Sequence, residues 1–150
     1  MIRFLKSKIY FNLVNFLLNK KKKNSKFFSI IHDFLVNLIS LFPSVKLSQL
    51  FFVTGTDKYT QYKFLYDNII EGLIEKKKVK KLLEIGIGGH SKKQNSGKSL
   101  LAFSKYYTSA KIYGIDLSDK SFLNNKKIIT KICDQGNQKD LLKFEKNNGP

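Results

Sequence analysis

Cysteine is nearly absent from this chain: Cys133 is the only one. No disulfide framework and no cysteine-based metal site can form within the chain, so a reducing cytoplasm is the expected compartment. Cys133 sits in the apolar run KIITKIC and reads as a small buried core residue, not a reactive thiol. Arginine is as scarce, with Arg3 alone, although Lys and Arg together number 28 against 11 acidic residues and the net charge is +17. Readers of phosphate and of base edges favour arginine, whose fork binds bidentately. A lysine-only excess fits a compositional bias at least as well as a binding patch, so nucleic acid is not the expected partner. No apolar run reaches the roughly 20 residues that a spanning helix needs. No small-residue cleavage site follows the first apolar run, which argues against a cleaved signal peptide. What is present suffices for a folded domain: 150 residues, 42% apolar and 13% aromatic, with no visible internal repeat.

Residues 1–50 form a basic segment of their own. RFLKSKIYFNLVNFLL is followed by Lys20 to Lys23 and then by KFFSIIHDFLVNLISLF. In the last run Phe27, Ile31, Phe34, Leu38 and Leu41 share one helical face, while Ser29, His32, Asp33, Asn37 and Ser40 share the other. His32 is expected in solvent, and Pro43 stops the helix. Three roles compete for this segment: a helical appendage packed on the following domain or on a second copy, a basic anchor at a membrane surface, and a transmembrane helix. Peripheral contact at the inner face of the membrane goes with the second role.

From Thr54 the pattern changes. TGTDKYTQYKFLYDNIIEGLIEKKK predicts a helix with Tyr62, Leu65, Ile69 and Leu73 inward. Thr56 or Asp57 can cap its start, and Lys76 to Lys78 suit its C-terminal dipole. VKKLLEIG, AKIYGID and KIITKICD predict three strands. Ser99–Tyr107 predicts a helix, and Asp119 to about Lys127 a short helix or turn. Asn137 can cap a last helix, QKDLLKFEK. Strands and helices alternating at this spacing predict an α/β fold with a parallel sheet.

The loop between the first strand and the next helix, GIGGHSKKQNSGKS, is where a ligand is expected, since helix N-termini and glycine turns at the carboxyl ends of parallel strands hold anions and cofactors. A nucleotide-triphosphate loop fits poorly: GxxxxGK[ST] would require glycine where Lys92 stands. A dinucleotide fingerprint fits poorly too, because its third glycine is missing after Gly86, Gly88 and Gly89, although an acidic residue does end the next strand. S-adenosylmethionine fits better. Glu84 precedes the first glycine, and the glycines let backbone approach the amino-acid part of the cofactor. Asp116 closes the second strand, where an acidic side chain accepts from both ribose hydroxyls. Asp134 and Gln135 close the third, where an adenine edge would lie.

GTDKY at 55–59, LLEIGIGG at 82–89, SGKSL at 96–100, IYGIDLSDKS at 112–121 and DQGNQKDL at 134–141 resemble a class I methyltransferase. The similarity is to the macrocin- and mycinamicin-type sugar O-methyltransferases, which are magnesium-dependent and act on sugars of natural products. It covers about two thirds of the chain, and five blocks in order are more specific than the glycine motif alone. The resemblance implies a Rossmann-like sheet of order 3-2-1-4-5-7-6, of which residues 51–150 supply strands one to three. It implies that Glu84, Ile85, Gly86, Ile87, Gly88, Gly89 and His90 line the methionine part of S-adenosylmethionine with Ser99 close by. Asp116 would then meet the ribose and Asp134 with Gln135 the adenine, and Thr56 and Lys58 would fold over the cofactor. For Thr56 and Asp57 a plain helix cap stands beside that reading. For Asp119 and Lys120 a surface ion pair is expected, and His90 is expected to contribute backbone, not base chemistry.

Ser96 departs from the pattern, since relatives usually carry a glycine there. The resemblance places the fourth strand, the acidic DDGSH-type magnesium motif and the histidine base beyond Pro150. The expected reaction is transfer of a methyl group from the sulfonium to the hydroxyl of a small-molecule or sugar acceptor, in a cytoplasmic enzyme. This chain is expected to be the front portion of that enzyme and inactive alone, with no catalytic or metal-binding residue of its own. Self-association through residues 1–50 is a candidate. The alternative is a membrane-surface or nucleic-acid-binding remnant that kept the fold without the chemistry.

Overall fold

The computed structural model describes residues 12, 15–16, 26–42, 44–89 and 96–149. His90 and Lys20 to Lys23 lie outside the described residues. The chain divides into two compact units, Met1–Val45 and Lys46–Pro150.

In the first unit helix α1 spans Lys26–Ser40. The periodicity placed Ile31 in the apolar stripe, but Ile31 is half-buried and Ile30 is the exposed member. Phe27, Ile30, Phe34 and Leu38 are all exposed, whereas His32 and Val36 are 3% and 2% exposed. The expectation of a solvated His32 is therefore corrected. Its Nδ1 pairs with Asp33 Oδ1 at 3.2 Å, which satisfies a ring nitrogen that burial would otherwise strand.

The second unit begins with α2, Leu47–Thr54, whose Leu47, Leu50, Phe51 and Val53 are buried. The first amides of a helix have no partner within it. Here Leu47 N–H donates to Glu71 Oε1 at 2.7 Å, and Ser48 Oγ donates to Asp67 Oδ2 at 2.7 Å. Two carboxylates thus sit at the positive end of α2. Both come from the following helical stretch, which is not the even helix the sequence predicts. A single turn, Lys58–Gln61, ends at Tyr62, and Leu65–Ile70 is π-helical. Tyr62, Leu65, Ile69 and Leu73 are consequently exposed rather than inward. The wider π turn resets the phase of the stretch, and Tyr66 turns inward instead, edge-on to Phe51 at 4.9 Å.

Three short apolar runs make the sheet: β1 Lys81–Ile85, β2 Lys111–Asp116 and β3 Ile128–Ile132. All pairs are parallel in the order β1-β2-β3, with Glu84, Gly114 and Thr130 in register. Helix α3, Lys98–Tyr106, connects β1 to β2 and buries Leu100, Ala102 and Phe103. Phe103 meets Phe51 of α2 edge-on at 5.4 Å, so α2 and α3 share one core with Ile112 of β2. Helix α4, Gln138–Asn148, follows β3, and Asn137 caps it as the sequence predicts, accepting from Lys139 N–H at 3.0 Å. Phe144 of α4 lies edge-on to Tyr113 of β2 at 6.0 Å. The expected burial of Cys133 is also found, and burial pushes its thiol pKa up.

Gly114 sets how closely α3 approaches the sheet. A Cβ there would lie 2.8 Å from Leu100 Cδ1 and 2.9 Å from Ile87 Cγ2. Gly114→Val is expected to cost about 1–3 kcal/mol by overpacking. Urea unfolding should show a lower midpoint at unchanged slope, and an unaltered midpoint would refute the close-approach account.

On its other side β1 pairs with no strand among the described residues. A groove of about 620 Å³ opens there, lined among others by Tyr66, Ile70, Ile74, Leu83, Phe103 and Tyr107.

Candidate functional site

The carboxyl ends of β1 and β2 bring the acidic residues of the motifs to one edge of the sheet. Glu84 is the penultimate residue of β1 and is 8% exposed. Ser99, in the first turn of α3, approaches both its carboxylate oxygens with Oγ at 2.7 Å. Lys58 reaches its Oε1 with Nζ at 3.0 Å. Partial burial draws the Lys58 pKa down, but attraction and hydrogen bonding from Glu84 outweigh it, and the net shift is upward. The GTDK turn is thereby tied to the end of β1 through a half-buried ion pair.

Asp116, the last residue of β2, holds the glycine turn from the other side. Ile87 N–H donates to its Oδ2 at 3.1 Å, while Ser118 donates to its Oδ1 from N–H at 3.0 Å and from Oγ at 2.8 Å. Burial pushes the Asp116 pKa up, yet the Ser118 bonds, the Lys120 charge and the Ile87 N–H together carry it below its usual value. A carboxylate has about four acceptor positions, so capacity remains toward an incoming hydroxyl.

The glycine loop closes on itself. Gly97 N–H donates to Ile87 O at 3.0 Å, and Gly89, at φ +79°, lies directly against Ser96. Lys120 completes this corner. It is 4% exposed, and its Nζ donates to Ser96 Oγ at 3.3 Å. The expected surface ion pair is therefore corrected for Lys120: the loop after β2 folds inward and carries the ammonium to the glycine loop. Asp119 stays outside and accepts from Ser121 N–H at 2.8 Å.

A cleft of about 280 Å³ results, and it gathers most of the residues the motifs singled out: Thr56, Lys58, Glu84, Gly86, Ile87, Gly88, Gly89 and Ser99 all line it. Lys98 and Asp57 line it as well. Thr56 also accepts from Lys58 N–H at 3.4 Å, while Asp57, at the N-cap of the turn, makes no side-chain capping bond. Asp116 joins through Ile87. Ile85 is 51% exposed and alternates to the face of β1 opposite Glu84. Asp134 and Gln135 are exposed in the turn after β3 and do not line the cleft. Asp134 Oδ1 accepts from Gly136 N–H at 2.8 Å. His90 lies outside the described residues. Ser118 is a polar side chain that motif reading passed over, and Lys120 one that it assigned to the surface. Their one signal was position, within the block that follows β2.

A three-stranded parallel sheet with α3 in the β1–β2 connection, and a glycine cleft at its carboxyl edge, is a Rossmann-like α/β arrangement. No family model matches the chain. Among curated proteins it is 34% identical over 70 residues to demethylmacrocin O-methyltransferase of Streptomyces fradiae. It is 33% identical over 70 residues to mycinamicin VI 2''-O-methyltransferase of Micromonospora griseorubida. Each match covers 47% of this chain and 18% of the relative. Among solved structures the MycE methyltransferase of the mycinamycin biosynthetic pathway, in complex with Mg and SAH, superposes with TM-score 0.62 at 25% identity over 69% of this chain and 27% of that one. The same enzyme with Mg, SAH and mycinamycin VI gives TM-score 0.63 at 24% identity, a likeness of fold. Over this shared part the chain is thus similar, in sequence and in fold, to the macrocin- and mycinamicin-type O-methyltransferases that its motifs resemble. It spans less than a third of the length of the proteins it matches.

Proposed function

We propose that residues 51–150 are the cofactor-holding part of an S-adenosylmethionine-dependent O-methyltransferase whose acceptor is a sugar hydroxyl of a glycosylated compound. The observation that carries this is the cleft itself. A buried carboxylate, an ammonium and three successive positive-φ glycines converge at the carboxyl end of β1. An amino-acid zwitterion presents the complementary charges, and its sulfonium adds a positive one. In this reading Glu84 takes the ammonium of the methionine part, Lys58 and the backbone of Gly86–Gly89 take its carboxylate, and Asp116 takes the ribose hydroxyls. Asp134 and Gln135 reach the adenine from their exposed turn, and Thr56 lies over the bound molecule.

The cofactor supplies the transferable methyl group. The chain supplies position: it orients the cofactor against the sheet edge, and orientation of two reactants is a large share of such catalysis. A base for the acceptor hydroxyl is needed as well, and magnesium is present in the solved relatives. Among the described residues no group of three or more His, Cys, Asp or Glu side chains gathers, so no magnesium step is assigned to them. Among the described residues no strand covers the outer edge of β1. In this reading the 150-residue chain binds the cofactor without turning it over.

Calorimetry with S-adenosylmethionine and SAH tests the assignment. Asp116→Ala is expected to weaken binding by about 1–3 kcal/mol, the loss of a charged acceptor to a ligand. Equal affinity of the variant and parent would remove Asp116 from the ribose. ATP binding that depended on Lys98 would overturn the cofactor altogether.

A further inference from the structure

Helix α1 uses two opposite faces for two different surroundings. At about 100° per residue, Phe27, Ile30, Phe34 and Leu38 fall within an arc of about 80°, and the buried pair His32 and Val36 centres about 180° away. The four apolar side chains are 66%, 69%, 63% and 42% exposed, and Leu41 and Phe42 just past the helix are 76% and 58% exposed. A helix anchored by its weakly polar face, with aromatic and aliphatic side chains outward, has its stripe turned toward something other than its own core. Scattered exposed apolar residues need no explanation, but a contiguous stripe marks an interaction surface.

Charge decides between the occupants. Residues 1–45 carry Arg3, Lys6, Lys8, Lys20 to Lys23 and Lys26 against Asp33 alone, and the whole chain carries +17. A second copy would bring the same positive charge to the same face, which opposes association. An anionic lipid interface brings the opposite charge to basic residues and an apolar layer to the stripe. Helix α1 has 15 residues, short of the roughly 20 that a spanning helix needs, so it fits an in-plane rather than a spanning placement. We propose that the Phe27–Ile30–Phe34–Leu38 face of α1 docks on an anionic membrane surface and holds the chain there peripherally. This goes beyond the cofactor reading and does not depend on it.

The chain has no tryptophan, so Phe34→Trp places a single reporter in the stripe at an already exposed position. Its emission is expected to shift to the blue on adding vesicles of phosphatidylcholine with phosphatidylglycerol. Pure phosphatidylcholine should give much less, and high salt should reduce the shift. In co-sedimentation of the full chain with the mixed vesicles, Phe34→Glu should reduce binding about tenfold or more. Ser29→Glu adds the same charge about 140° from the centre of the stripe and should reduce it only slightly. The proposal is overturned by no shift and no co-sedimentation, by equal binding to neutral vesicles, or by equal loss in the two glutamate variants. A blue shift that grows with protein concentration in the absence of lipid would also overturn it, in favour of a second copy.

Discussion

Glu84→Ala should abolish measurable binding of S-adenosylmethionine and lower the stability of the chain by about 2–4 kcal/mol. The carboxylate is 8% exposed and is met by Lys58 at 3.0 Å and by Ser99 at 2.7 Å. Removing one member of a buried pair leaves the other charge without compensation, which costs about 3–5 kcal/mol where neither partner can reach water. Lys58 retains 22% side-chain exposure, so part of that penalty is relieved by rotation toward solvent. The double variant Glu84→Ala with Lys58→Met is the informative comparison. It should be more stable than the two single losses sum to, by about 0.5–3 kcal/mol, because neither charge is left behind. Affinity would not return with it, since the receptor for the ligand's ammonium stays absent. Strict additivity of the two single variants in urea unfolding would show that the ion pair is not what holds the corner together. Undiminished cofactor affinity in Glu84→Ala would remove this residue from the site.

Gly89→Ala comes second in expected effect. Its Cβ would lie 2.1 Å from Ser96 Oγ, 2.6 Å from Ser96 N and 2.8 Å from Ser96 Cα. The last two are backbone atoms, which cannot rotate aside. Relief must come from separating Gly89 from Ser96, and that moves the Ile87–Gly89 turn out of the cleft. Added to this is the strain of a left-handed conformation on a residue with a side chain, about 1–2 kcal/mol. Cofactor affinity should fall by at least about 2 kcal/mol, roughly thirtyfold. Gly88→Ala separates the two contributions, because Gly88 shares the positive φ but has nothing within 4 Å of its Cβ. That variant should show the strain alone, about 1–2 kcal/mol. If calorimetry finds both variants equally weakened, contact with Ser96 is not what shapes the loop.

Much of the architecture was legible in the residues. The runs VKKLLEIG, AKIYGID and KIITKICD became β1, β2 and β3, because short apolar stretches between helical periods have few other ways to bury themselves. Asn137 caps α4 where its amide side chain suggested, and Cys133 is buried as its apolar neighbours implied. The cleft was legible to the extent that its residues end strands or occupy glycine turns. Position along a parallel strand determines which end of the sheet a residue occupies, and this sufficed to bring Glu84, the glycine turn and Asp116 together.

What the sequence could not decide was orientation. The periodicity of α1 identifies an apolar stripe but not what lies opposite, and the structure buries His32 and Val36 instead. The helical stretch from Lys58 kept its apolar residues but not its phase. One π-helical segment, Leu65–Ile70, turned Tyr66 inward and left Leu65 and Ile69 exposed. Lys120 lies in a polar run that any local rule assigns to the surface. Its burial follows from the path of the loop after β2, which brings its ammonium to Ser96 and into the field of Asp116. By itself, then, the sequence determined the three strands, their parallel direction, helices α3 and α4 and the ligand-facing edge of the sheet, because backbone propensity, turn chemistry and strand direction are local. Only the tertiary structure decided which faces turn inward and which ammonium groups leave water, because those outcomes depend on partners distant in the chain.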